Sequence, residues 1–161
     1  MENNNIVELD SSSLILQQLL TNEKVCQLEE MGLEQPQLVL DTTHLIHGKM
    51  YARTIFMPAG TLLTGVLSNL DNVCIVCGDI TVTTQDGLKR FTGYHVLPAL
   101  KGSKRAGITH ADTYWTTIIH TNNITVTDCE NEFTNEIEKL QTRRLENNTL
   151  PQGDTKCLTQ D

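Results

Sequence analysis

The chain has few aromatic residues, few basic residues and no long apolar run, and each shortage removes a class of function. Of 161 residues only three Phe, one Trp and three Tyr are aromatic, so a core must be assembled from Leu, Ile, Val and Thr. Lys and Arg number 12 against 20 Asp and Glu, a formal net charge of −8. A protein that grips nucleic-acid phosphates needs a basic footprint, so direct nucleic-acid binding is not expected, and a charged partner would present a basic face. No stretch approaches the roughly 18–20 apolar residues of a membrane helix. The opening MENNNIVELD has no basic segment ahead of an apolar block, so no secretory leader is expected. The five cysteines (Cys26, Cys74, Cys77, Cys129, Cys157) are odd in number, which fits reduced thiols in a cytosolic compartment.

What is present is a dense run of strand-like segments from Met57 to His120. The length corresponds to about one domain, divided here into an N-terminal arm with helices (1–35), a β-barrel (36–127), a C-terminal helix (128–145) and a disordered tail (146–161). Ser11, Ser12 or Ser13 could cap a first helix carrying Leu14–Leu20. Asn22 is a plausible N-cap for a second, with Val25, Leu28 and Met31 on one buried face and Gly32 as its stop. Short strands follow at Gln37–Leu40 and Thr43–His47, with a turn at Gly48. In Met50–Met57 the alternate sets Tyr51, Arg53, Ile55, Met57 and Met50, Ala52, Thr54, Phe56 both contain apolar residues. That strand is therefore expected to be covered on both faces or to meet an interface.

Thr61–Leu67, Val73–Cys77, Ile80–Thr84, Leu88–Thr92, Tyr94–Leu97, Lys104–Thr109 and Thr113–His120 read as further strands, with a tight turn at Gly78-Asp79. Gln85-Asp86-Gly87 has the composition of a type I′ hairpin turn. Strands at this density with no helical period between them predict a sandwich or barrel. Asp128 is the expected N-cap of a helix over Cys129–Leu145, with Phe133, Ile137 and Leu140 as its apolar stripe.

Motifs that carry chemistry are sparse. Cys74-Ile-Val-Cys77 has CxxC spacing, but residues three apart on a strand point to opposite faces, so core packing is the expected role. His44, His47, His95, His110 and His120 form no HxH or HExxH pair, and no Ser occupies a nucleophile elbow. Lys101-Gly-Ser-Lys-Arg105 lacks P-loop spacing. Arg105, at the start of a strand, could instead aim its guanidinium into a barrel mouth as an anion clamp. Tyr51, Arg53, Arg105, His110 and Trp115 are the candidate ligand-binding residues of that mouth.

The segments YARTIFMPAGTLLTG (Tyr51–Gly65), VTTQDGLKRF (Val82–Phe91) and GSKRAGITHADTYWTTIIH (Gly102–His120) resemble the cupin superfamily, and most closely the short cupin-like proteins of tailed bacteriophages. The resemblance implies a mainly β fold, a double-stranded β-helix or jelly-roll barrel, with short N-terminal helices and one C-terminal helix. The family's first metal-binding block falls on Gly65–Gly78, where Ser68, Leu70, Asp71 or Asn72 stand at ligand positions. The second falls on Pro98–Gly107, with Arg105 near the position of its histidine. Leucine, serine and arginine cannot replace imidazole around a divalent cation, so no metal and no cofactor are expected. The resemblance thus implies a non-enzymatic binding or structural module, paired as a homodimer through its sheets. Its place would be the virion or the host cytoplasm, with a phage or host protein as partner. The competing reading is a small-molecule-binding cupin or a cupin-like isomerase using the barrel mouth.

Overall fold

In the computed structural model, residues 22–140 are described. The helix expected over Leu14–Leu20, the end of the C-terminal helix and the tail lie outside them. Helix α1 spans Asn22–Leu33. The strands are β1 (Thr42–His47), β2 (Met50–Met57), β3 (Leu62–Thr64), β4 (Asn72–Thr84), β5 (Gly87–Ala99) and β6 (Ala106–His120). Helix α2 (Val126–Phe133) and a 3₁₀ turn at Ile137–Lys139 follow. The expected mainly β class is what the chain adopts.

All strand pairs are antiparallel, in the order β1-β2-β6-β4-β5. The long β6 pairs with β4 along one edge, while its other edge is shared: β2 takes Thr113–His120 and β3 takes Ala106–Ile108. A strand that serves two partners in succession must bend, and the sheet curls around an interior.

Side-chain period two sorts the residues. On β2 the odd set turns inward, with Tyr51 and Met57 buried. Cys74, Val76, Ile80 and Val82 from β4 join them, together with Trp115 and Ile119 from β6. The even set of β2 faces outward. Cys74 is buried and Cys77 exposed, as opposite faces require.

Three pairs of expected short strands are single long ones. Gly78-Asp79 is not a turn but an irregularity inside β4, where the register with β6 shifts. Gly78 has φ +148, and a Cβ there would lie 2.6 Å from the Asp112 carbonyl oxygen, so β6 passes too close for a side chain. Likewise Leu88–Thr92 joins Tyr94–Leu97 in β5, and Lys104–Thr109 joins Thr113–His120 in β6.

The turn chemistry is also exchanged. At 85–87 only Gly87 has positive φ (106), so that hairpin is not type I′. Gly48 and Lys49, between β1 and β2, both have positive φ (56 and 62) and meet the type I′ requirement. Gln37–Leu40 forms no strand, and Thr61–Leu67 contributes only the three residues of β3.

The helices differ in which residues they bury. In α1 Val25 and Glu29 are buried, Leu28 is half-buried and Met31 is 68% exposed. Asn22 opens the helix, yet its side chain bonds the 102–104 loop: Nδ2 donates to the Gly102 carbonyl at 2.8 Å and Oδ1 accepts from the Lys104 amide at 3.2 Å. Glu29 turns inward because Lys104, itself buried, donates to both its carboxylate oxygens at 3.0 and 3.1 Å. Lys104 also reaches Glu136 at 2.7 Å, and Lys139 reaches Glu29 at 2.6 Å and Glu136 at 2.9 Å. This four-charge cluster ties α1, the β6 approach and the 3₁₀ turn together.

The N-cap of α2 is Thr125 rather than Asp128. Its hydroxyl accepts the Asp128 amide at 3.2 Å and donates to the Asp128 carboxylate at 2.6 Å. The helix stops at Phe133 because Thr134 is extended, its hydroxyl bonded to the Leu67 carbonyl at 2.7 Å. Ile137 and Leu140 therefore do not continue a helical stripe with Phe133. Among the described residues no helix is long and apolar enough to cross a membrane.

Candidate functional site

The curled sheet and the elements packed on it border an open cavity of about 730 Å³. Its inner rows follow from the strand register. One row runs His44–Arg53–Thr117–Cys74–Leu97 across β1, β2, β6, β4 and β5, and the next contains Ile55–Trp115–Val76. Arg53, Ile55, Met57, Cys74, Ile80, Val82, Trp115 and Thr117 line the cavity, with Arg105 just before β6. Leu28 and Glu29 of α1, with Lys139 and Leu140, border it.

Of the five candidate residues, Arg53, Arg105 and Trp115 share this cavity. Tyr51 does not line it. Its ring is buried one row away and opens on an adjoining space of about 20 Å³ shared with Arg53. The Tyr51 hydroxyl and His44 Nδ1 are hydrogen-bonded at 2.8 Å and the two rings stack. Burial, and then the nearby Arg53 charge, push the His44 pKa down, so His44 is a satisfied core imidazole. His110 is on the opposite face of β6, with Nε2 bonded to the Thr81 hydroxyl at 2.8 Å.

Arg53 is the group that stands out. Its side chain is 17% exposed, and its Nε is buried with no hydrogen-bond acceptor among the described residues. The nearest carboxylate oxygen, Glu130 Oε1, is 3.9 Å from Nε, outside hydrogen-bonding distance. Desolvation lowers the Arg53 pKa, although a guanidinium keeps its charge in any protein environment. Arg105 donates from Nη2 to the Pro98 carbonyl at 3.2 Å. Burial raises the Cys74 thiol pKa, opposed by the Arg105 charge, and Cys74 Sγ donates to Asn72 Oδ1 at 3.3 Å. Cys74 and Thr117 are cavity residues that motif reading passed over. Their signal was parity, since each is register-paired with Arg53 or with its partner on the inner face.

A cupin-type metal centre would need imidazole and carboxylate donors on this wall, and the residues present do not fit one. No histidine lines the cavity. Ser68 is buried and bonded to the Leu70 carbonyl at 2.6 Å, Asp71 accepts the Lys101 amide at 2.7 Å, and the Asn72 amide donates to Ser68 and Leu70. These side chains build the 68–72 loop. Two guanidiniums on the same wall would oppose a divalent cation. Among the described residues no three His, Cys, Asp or Glu side chains gather as a metal-holding group.

The outer face of the same sheet is the second feature. Leu45, Ala52, Ile118, Val73 and Pro98 form one row across five strands, and Thr43, Thr54, Thr116, Ile75 and Val96 the next. Phe56, Tyr114, Cys77 and Tyr94 form a third, with the Phe56 and Tyr114 rings 5.0 Å apart. Tyr94 is 66%, Val96 57% and Tyr114 53% exposed. No residue in these rows carries a formal charge.

No family model matches the chain, and no curated protein matches it. Solved cupin structures are similar to about half of it. The cupin domain of an XRE-family transcriptional regulator from Enterobacter cloacae is 10% identical, with 53% of this chain and 100% of that one covered and a TM-score of 0.44. The EutQ protein of Clostridium difficile is 14% identical over 56% and 75%, with a TM-score of 0.45. An RmlC-like cupin with a double-stranded β-helix fold from Methanocaldococcus jannaschii is 13% identical over 54% and 84%, at 0.44.

Proposed function

We propose that this chain is a metal-free, non-enzymatic binding module of the tailed-phage cupin kind. It pairs with a second copy through the outer sheet face and serves a protein partner in the virion or the host cytoplasm. The carrying observation is the composition of that face. In a chain this poor in aromatics, Phe56, Tyr94 and Tyr114 lie together on an exposed surface instead of filling the core. Large exposed apolar patches mark interaction sites, and aromatic residues are the usual anchors of an interface centre.

The occupant follows from charge. Two copies at a net charge of −8 each repel one another over most of their surfaces, and the uncharged rows let them approach without like-charge contacts. The isomerase reading is weaker because His110 faces away and no matched acid and base line the cavity beside the guanidiniums of Arg53 and Arg105.

Sedimentation or light-scattering mass measurement tests the pairing. The wild type is expected to run as a dimer, and Tyr114→Lys or Val96→Lys as a folded monomer. A monomeric wild type, or a dimer that survives both substitutions, would sink this reading.

A further inference from the structure

We infer that the barrel cavity binds an organic monocarboxylic acid with an extended apolar body, its carboxylate on the Arg53 guanidinium and its body against Trp115, Met57, Ile80 and Val82. This site is separate from the outer face and does not depend on the pairing proposed above.

The inference begins from a shortfall. Folding has taken Arg53 Nε out of water and left it without an acceptor among the described residues. Buried donors in native proteins are nearly always satisfied, and an unsatisfied buried group costs free energy that a bound acceptor would recover. Glu130 balances part of the charge from 3.9 Å but forms no hydrogen bond to that nitrogen. The other ionic groups bordering the cavity, Glu29 and Lys139, are paired with each other at 2.6 Å. Counting Arg53 and Arg105 against Glu130 leaves one net positive charge at the cavity. A bound anion answers it.

The geometry narrows the anion. A guanidinium presents a planar fork that matches a two-oxygen carboxylate. With Glu130 close by, a single negative charge suits Arg53 better than a doubly charged phosphate. The wall mixes polar side chains such as Gln37, Thr64 and Thr117 with a larger apolar share, and a volume of about 730 Å³ falls in the range of pockets that hold small organic ligands.

Trp115, the single tryptophan, lines the cavity and serves as the reporter. Its emission is followed as the protein is titrated with decanoate, with decan-1-ol as the uncharged control and inorganic phosphate as the control for simple anion binding. Saturable change is expected with decanoate, at an affinity about tenfold to a hundredfold tighter than for the alcohol, the range for a hydrogen bond to a charged group. Phosphate alone should leave the emission unchanged. Arg53→Met is expected to erase the preference for the acid while retaining the alcohol's affinity. Should that variant unfold by circular dichroism, Arg53→Lys, which keeps the charge but loses the fork, should lower the preference about tenfold. Ile80→Phe, which shrinks the cavity, should weaken acid and alcohol together. Equal affinity for acid and alcohol, no saturable signal, preference retained in both Arg53 variants, or binding indifferent to Ile80→Phe would each overturn the proposal.

Discussion

Replacing Lys104 by methionine removes one charge from the cluster that fastens α1 to the barrel. The ammonium group is 1% exposed and donates to both oxygens of Glu29 and to Glu136. Methionine fills much of the same volume, so the change isolates the charge. Deleting one partner of a buried ion pair costs about 3–5 kcal/mol, because the other partner stays desolvated without its counter-charge. Here Lys139 remains within 2.6 Å of Glu29 and 2.9 Å of Glu136, which points to the lower end, about 3 kcal/mol. For a domain of this size each kcal/mol moves Tm by about 2–4 °C, giving a fall of about 6–12 °C. Differential scanning calorimetry at neutral pH measures it. Lys89→Met, which breaks the exposed pair with Asp86, is the control and should leave Tm within experimental scatter. A fall of under about 2 °C for Lys104→Met would refute the reasoning, since the cluster would then be one whose desolvation cancels its attraction.

The same cluster sets a pH dependence. Burial alone would raise the Glu136 pKa, but hydrogen bonds from Lys104, the Leu67 amide and Lys139 outweigh it and hold the carboxyl at about 2, against an ordinary 4.5. A depressed carboxyl contributes stability that is fully present above its unfolded value and lost as pH falls through the folded one, here from about 4.5 down toward 2. The contribution is at most about 3 kcal/mol. Chemical denaturation across that window should show Glu136→Gln losing this part of the acid dependence; a slope identical to wild type would remove Glu136 from the account. Gly78→Ala should destabilise by about 1–3 kcal/mol through backbone strain and overpacking, because its Cβ would press on Thr113 and the Asp112 carbonyl. Gly32→Ala, in α1 with nothing near the added carbon, should stabilise slightly. Equal effects of the two substitutions in urea melts would show that β4 and β6 are not as close at Gly78 as described.

How much was legible depended on whether a feature was local. The division of β2 into two alternating sets and the opposite orientations of Cys74 and Cys77 follow from period two, which survives any tertiary context as long as the segment is a strand, whereas which β2 set turns inward does not. His110 shows where that reading broke. Split into Lys104–Thr109 and Thr113–His120 with a loop between, β6 allowed Arg105, His110 and Trp115 to converge. With Ala106–His120 one continuous strand, Trp115 faces the cavity that Arg105, just before the strand, also lines, whereas His110 falls on the other face. Gly78-Asp79 misled for a related reason. Glycine serves both a reversal and a close crossing of strands, and only the pairing of β4 with β5 and β6 on either side distinguishes them. Nothing in the local sequence marks Glu29 or Glu136 as ion-paired, because their partner Lys104 comes from a distant part of the chain.

The sequence by itself determined the mainly β class, the helical segment after Asn22 and the alternation that puts neighbouring side chains on opposite faces of each strand. Each rests on composition or short-range periodicity, which the chain carries wherever it goes. The tertiary structure alone decided which inward residues meet, that Arg53 Nε is buried with no acceptor among the described residues, and that three of the scarce aromatics gather on one uncharged outer face. Those outcomes depend on strand order and register between segments far apart in the chain, and register is a property of the pairing rather than of either strand.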